Sequence, residues 1–159
     1  MKAISLWQPW ASAMASGAKK NETRSWPISH RGDLLICSAK RKPTREEMAD
    51  DALFAQAMTF PFGMALCVVE VFDCQSSGMF YVSSKTPRLH QYRITQEEWD
   101  LGDYSHGRYI WMTRGLRTFT RPFAVTGRQG LFEVLDEVIE RETLMPVKHM
   151  TLSNLLLGL

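Results

Sequence analysis

Net charge is nearly absent from this sequence: 19 lysines and arginines stand against 17 aspartates and glutamates, a formal +2. So small a surplus steers a polyanion weakly, which excludes a dedicated, strongly basic nucleic-acid domain and leaves any such contact to local clusters. Cysteine is scarce as well. Cys37, Cys67 and Cys74 are odd in number and none stands at C-x-x-C spacing, so neither a zinc site nor a redox pair is expected, and the thiols read as reduced. His30, His90, His106 and His149 are scattered, with no H-x-x-x-H pair and no carboxylate at ligand spacing, so no metal is expected. No window approaches the roughly 18 apolar residues of a membrane helix, and no apolar run follows a basic leader. The expectation is a soluble, cytoplasmic protein with no membrane partner. Neither G-x-x-x-x-G-K-[ST] nor G-x-G-x-x-G follows a strand-like run, so triphosphate chemistry is not expected and no cofactor is inferred.

What is present fits one folding unit. The 159 residues fall below the roughly 250 at which a single core stops growing, and 45% hydrophobic with 23% charged residues is ordinary globular composition. A single domain over 1–159 is therefore expected. "KAISLW" alternates like a half-buried strand, Gln8-Pro9 ends it, and the small residues from Trp10 to Ser16 before Gly17 predict a short helix. "NETRSW" and "LLICSA" predict strands two and three. "PTREEMADDALFAQAM" opens with Thr44 three residues before Glu47, a capping-box spacing, and sets Met48, Leu53 and Ala57 on one helical face.

"GMALCVVEVFDC" is the longest apolar run, rich in β-branched residues, and predicts the central strand. Residues Gln75 to Arg93 show no sustained period and are expected to be irregular. "TQEEW" offers a second capping box, Thr95 with Glu98, for a short helix ending near Gly102. "GRYIWMTRG" and "RPFAVTGRQGLFEVL" predict two further strand regions, the second turned at Gly127 and Gly130. The tail "TLSNLLLGL" reads as an amphipathic or frayed helix. About six strands with short inserted helices and no strict βαβ alternation predict an α+β fold built on a small mixed β-barrel.

The opening segment concentrates candidate chemistry. Lys19, Glu22 and Arg24 lie within six residues, and strand alternation puts Glu22 and Arg24 on one face. Burying an unpaired charge is costly, so the three either satisfy one another or wait for a ligand. As a ligand site, Glu22 would accept from an exocyclic amine, Lys19 and Arg24 would donate to a carbonyl or phosphate, and Trp10 or Trp26 would stack on the ring; Trp7 is assigned to packing. Stacking is worth roughly 1–3 kcal/mol per base, enough to hold an unpaired nucleotide without a large basic surface. Lys19 and Glu22 could instead serve as the acid and base of a hydrolase. Arg31, Lys40, Arg41 and Lys42 would follow a nucleic-acid backbone, and Arg114, Arg117 and Arg121 form a further basic cluster.

"ISLWQPWASAMASGAKKNETRSWPISHRG", followed by "LLICSAK", "FGMALCVVEVFDC", "LGDYSHGRYIWM" and "RPFAVTGRQGLFEV", resembles the ASCH family over about Ile4 to Val134, leaving 135–159 as a C-terminal extension. The resemblance implies a PUA-like fold, a small β-barrel flanked by short helices, whose relatives bind RNA or recognise modified bases in a cleft between barrel and helices. It carries the family signature onto Gln8, Pro9 and Trp10, onto Gly17 and Lys19, onto Glu22, Thr23 and Arg24, onto Arg31 and Gly32, and onto Gly107, Arg108 and Tyr109. Small hydrolytic members cleave the amide of N4-acetylcytidine with a lysine and a threonine; here the lysine falls on Lys19, and Glu22 stands where the threonine would be. Thr23, one residue along the strand, faces the other way. Other members are assigned ribonuclease activity or DNA binding. The expectation is a module for single-stranded RNA, or for DNA or a nucleoside, with hydrolysis of a modified nucleoside or of RNA as the alternative.

Overall fold

A computed structural model describes residues 1–50, 59–80, 88–89, 92–142 and 144–146. The opening residues build β1 (Lys2–Leu6), which is not half-buried as expected: Ile4 and Leu6 join one core and Ala3 the other, because the strand is covered on both faces. The Gln8-Pro9 peptide is cis, and Pro9 leads directly into α1 (Trp10–Ser16). Small residues let this helix pack closely: Ala11, Ala13 and Met14 are buried. Gly17 ends it in the left-handed region, φ 80°, with its N–H on the Met14 carbonyl at 3.1 Å. β2 (Asn21–Arg24) and β3 (Gly32–Ser38) follow.

α2 (Arg45–Asp50) starts with both halves of its capping box in place: the Glu47 N–H donates to the Thr44 hydroxyl at 3.3 Å, and the Thr44 N–H donates to the Glu47 carboxylate at 2.7 Å. The predicted face carrying Leu53 and Ala57 lies outside the described residues, as do the Met48 side chain and the C-terminal tail. β4 (Met64–Ser76) is the long apolar run, succeeded by a 3-10 turn at Ser77–Phe80 and the short pair β5 (Arg88–Leu89) and β6 (Tyr92–Arg93). Then come α3 (Gln96–Asp100), β7 (Tyr109–Ala124), β8 (Leu131–Glu133), α4 (Asp136–Ile139) and β9 (Leu144–Pro146).

One mixed sheet runs β2-β7-β4-β3-β1-β8, with β9 added beside β7 at Arg117–Phe119. Among the described residues only the β1–β3 pair of this sheet is parallel. Register shifts along β4 and β7 bend the sheet into a half-barrel, open at the β2 and β8 edges. β3 is covered on both faces, which explains its unbroken apolar sequence: Leu34 and Ile36 join Met14 and Trp111 in one core, while Leu35 and Cys37 join Phe119, Phe132 and Ile139 in the other. Burial pushes the Cys37 thiol up to about 12 and raises Cys67 still further, as expected of inert core cysteines.

Further expectations need correction. Within Gln75–Arg93, expected to be irregular, β4 runs on to Ser76 and the short strands β5 and β6 pair. The two strand regions predicted between Gly107 and Leu135 are divided differently: "YIWMTRGLRTFTRPFA" is a single 16-residue strand, and Gly127 and Gly130 belong to the loop between β7 and β8. Gly115 lets the chain pass through. Its φ of 63° takes up the extra β7 residue where Val68 pairs Arg117 but Glu70 pairs Arg114, so the strand bulges instead of ending.

Candidate nucleic-acid interface

The end of β1, α1, β2 and the loop after α3 enclose a cleft of about 440 Å³ whose wall includes Trp7, Trp10, Lys19, Glu22, Arg24 and Arg108. Its charged group is assembled by local geometry. The left-handed turn at Gly17 reverses the chain, and the Lys19 N–H then donates to the Ala13 carbonyl at 3.0 Å, which tucks Lys19 under the helix it has just left. Lys19 is only 2% exposed, and its Nζ lies 3.7 Å from Glu22 Oε2. On the other side Arg24 Nε sits 3.0 Å from Glu22 Oε1. That N–H is within ion-pairing distance but is not aligned on the oxygen, so it makes no hydrogen bond. Two cations therefore share one carboxylate in the wall of an open space. The trio both converges on the cleft and pairs internally.

The charges of the cleft balance. Lys19, Arg24 and Arg108 are matched by Glu22, Asp100 and Asp103. Arg108 Nε lies 3.2 Å from Asp103, and its terminal nitrogen donates to the Thr23 carbonyl at 3.3 Å. Hydrogen bonding from Ser105, aided by Arg108 and opposed by burial, holds the Asp103 carboxyl below its usual value. The Thr23 hydroxyl accepts from the Asp103 N–H at 3.1 Å, so it braces this loop.

Sequence reading left Glu98 as a helix cap, and the structure gives it a larger task. Its carboxylate, in a residue 3% exposed, accepts from the Lys20 N–H at 2.6 Å, the Asn21 N–H at 2.9 Å and the Tyr104 hydroxyl at 2.7 Å. Burial, and then the neighbouring Glu98, raise the Tyr104 phenol, so it stays a donor. Glu98 thereby anchors the chain between Lys19 and Glu22 from 78 positions away in sequence. The only local signal was an acid at a capping position, which says nothing of where the carboxylate goes.

The model of the ASCH domain family matches residues 4–123, three quarters of the chain and every strand named above from β1 to β7. This chain belongs to the ASCH domain family. Activating signal cointegrator 1 of Homo sapiens is 34% identical over 88 residues, which covers 48% of this chain and 15% of that protein. The Mus musculus protein of the same name is 33% identical over 88 residues, with the same coverage. The chain thus spans about 15% of the length of these curated relatives. The crystal structure of ASCH from Zymomonas mobilis matches with a TM-score of 0.53 and 15% identity, covering 92% of this chain and 97% of that one. A point variant of the same protein matches with a TM-score of 0.52 and 15% identity, covering 89% and 98%. At that identity the likeness concerns the fold, and the bent mixed sheet with short helices is the α+β, PUA-like arrangement expected.

Within this ASCH domain the residues singled out by sequence separate by position. Trp10, Lys19, Glu22, Arg24 and Arg108 come together in the cleft. Gln8 does not border it: buried, it donates to the Pro61 carbonyl at 2.7 Å and accepts from the Ser12 N–H at 3.0 Å, clamping the start of α1. Pro9 is buried beside it. Tyr109 packs against the larger core from the first position of β7. Trp26 meets Trp111 edge to face at 4.6 Å, and with Lys40 it borders an adjoining groove instead. Arg31 lies away from both spaces, donating to the Ile28 and His30 carbonyls and facing Asp73 at 3.6 Å. Trp7, assigned to packing, corrects that expectation: it is 49% exposed and borders both spaces, because it falls just past the last buried position of β1. Among the described residues no three His, Cys, Asp or Glu side chains group as metal ligands, and no helix is long and apolar enough to cross a membrane.

Proposed function

We propose that this ASCH domain binds single-stranded nucleic acid, RNA in preference to DNA, by admitting an unpaired or modified nucleobase to the cleft. The observation that carries the reading is the Lys19–Glu22–Arg24 group, set in the wall of a 440 Å³ cleft alongside two tryptophans. The cleft falls in the size range of small-ligand sites, about 300–1,000 Å³. Balanced charge favours a neutral, flat, polar ligand over a free polyanion. A base edge offers donors and acceptors to Glu22, Arg24 and Lys19 while its face stacks on indole.

Stacking on Trp10 would contribute about 1–3 kcal/mol, so Trp10→Ala is expected to weaken binding about 5- to 150-fold. The test is fluorescence anisotropy of a short labelled single-stranded RNA and its DNA counterpart across a salt series. Salt-sensitive binding reduced by Trp10→Ala and by Lys19→Ala supports the reading; no binding to either strand at low salt overturns it.

Hydrolysis is the second reading, favoured by one feature: a buried lysine beside a carboxylate in a cleft wall, a pairing able to move a proton. Purified protein incubated with N4-acetylcytidine and with unstructured RNA separates the two. Turnover lost in Glu22→Gln establishes hydrolysis, and unchanged substrate leaves binding alone.

A further inference from the structure

Trp7 stands between two spaces of opposite electrostatic character. On one side is the cleft, whose charges cancel. On the other is a groove of about 590 Å³ whose charged lining is Arg24, Lys40 and Arg128, with no carboxylate. Arg24 borders both. A further space of about 410 Å³, beside α1 and β7, is also lined by cations without a carboxylate, but there Lys19 and Arg114 face Glu22 and Glu70. On the rest of the described surface several arginines face acids: Arg114 with Glu70, Arg117 with Asp33, Arg31 with Asp73, Arg41 with Glu47. Lys40 and Arg128 have no hydrogen-bond or ion-pair partner among the described residues. A concave, single-sign surface concentrates its field on an incoming counter-ion.

The groove is also built to hold its shape. The loop bearing Arg128 rests on β1, where a Cβ at Gly127 would collide with the Ser5 hydroxyl. Ser5 borders both spaces, and its buried hydroxyl oxygen has no hydrogen-bond partner. The Lys40 stem lies across Gly63, where a Cβ would crowd it. Trp7 itself is braced despite its exposure. The Arg41 guanidinium lies 4.0 Å above its ring and is fixed by the Glu47 carboxylate at 2.8 and 3.0 Å.

Resting on the reading of the cleft above, we propose that Trp7 divides a two-part site for one nucleotide of a single strand, with the base on the cleft side and the phosphodiester on the Arg24–Lys40–Arg128 side. The chemical class recognised is then the nucleotide, and a nucleoside lacking phosphate fills only half the site. The division also reconciles the small net charge with nucleic-acid binding, because Lys40 and Arg128 have no acid beside them and Arg24 divides its charge between Glu22 and the groove.

Two measurements test it. Binding of a short single-stranded RNA is followed against salt for the wild type, Lys40→Gln, Arg128→Gln, their double variant and, as control, Arg121→Gln, an exposed β7 cation outside both spaces. Each phosphate neutralised adds about 0.7 to the slope of log K against log salt, so losing both cations in the Lys40→Gln/Arg128→Gln double variant should flatten it by about that amount and each single variant by part of it, while Arg121→Gln leaves it unchanged. Competition by the four common ribonucleosides and their 5′- and 3′-monophosphates should favour nucleotides by about tenfold, a preference the double variant loses while nucleoside competition persists. Equal competition by nucleosides and nucleotides, or an unchanged slope in the double variant, overturns the two-part site and leaves the cleft reading standing. Absence of binding by every probe overturns both.

Discussion

Glu98 stands three residues after Thr95, and its N–H does donate to the Thr95 hydroxyl at 3.2 Å, but its carboxylate turns away from the helix to the Lys20 and Asn21 N–H groups and Tyr104. Removing it strands two backbone donors and a phenol around a buried position. An unsatisfied buried group costs about 1–3 kcal/mol; the two backbone donors are only part-buried and recover some of that from water, so Glu98→Ala is expected to lower stability by about 2–4 kcal/mol in urea unfolding. Tyr104→Phe removes only one of the three donors and should cost about 1 kcal/mol. If Glu98→Ala proves no more destabilising than Tyr104→Phe, the anchoring role is wrong. Gln8 and Trp7 teach a related lesson about reading single residues. A polar residue beside two tryptophans looks like a ligand contact, yet Gln8 is buried in hydrogen bonds and the tryptophan before it is exposed. Neither outcome is visible in side-chain type, since both depend on where β1 stops.

Among the elements, α1 has the strongest hold on the site. Seven residues make too short a helix to persist alone, so its contacts with the sheet and its termini define it. Gly17 is the sensitive position. An L-residue held in the left-handed region costs about 1–2 kcal/mol, and relief by unwinding the turn would shift Lys19 relative to Glu22. Gly17→Ala is therefore expected to lose about 1 kcal/mol or slightly more in chemical denaturation and also to weaken RNA binding. Gly17→Asn, a residue more tolerant of that conformation, should restore part of both. Binding as strong as wild type in a destabilised Gly17→Ala would show that the helix terminus does not position the lysine. This helix was legible because its stop signal is local. The β7 boundary was not, because a glycine at a bulge and a glycine in a loop look alike until the pairing partner is known.

Across the whole molecule, carboxylates tie neighbouring strands together and brace loops. Arg114 hydrogen-bonds to Glu70, Arg41 to Glu47 and Lys2 to Glu133, and each of these bonds holds the acid below its ordinary value of 4.5; Asp103, hydrogen-bonded to Ser105, is likewise lowered from 3.8. A carboxylate whose folded value is depressed stabilises the fold above its unfolded value, and that contribution is lost as pH falls through the folded one. The melting temperature is thus expected to be flat near neutrality and to decline as pH drops below the ordinary carboxylate values of 4.5 and 3.8. Added salt should soften the decline, because these pairs are largely solvated. Circular dichroism melts over an acid pH series would check this, and a melting temperature that rises on acidification would contradict it.

Fold class followed from the sequence because its determinants are short-range. The β-branched run of β4, the stop at Gly17 and the box at Thr44 and Glu47 each specify local geometry, and enough such segments without βαβ alternation leave few architectures. The separated blocks from Ile4 onward also carried the ASCH resemblance. Tertiary structure alone decided the site's outline. Lys19, Glu22 and Arg24 are close in sequence, but Arg108, Asp103, Glu98 and Arg128 reach the same region only because β7 pairs with β2 and because the loop before β8 lies on β1. Charge balance on one side of Trp7 and its absence on the other belong to no stretch of residues. They arise where the curved sheet brings distant side chains onto a shared surface, which local propensities cannot encode.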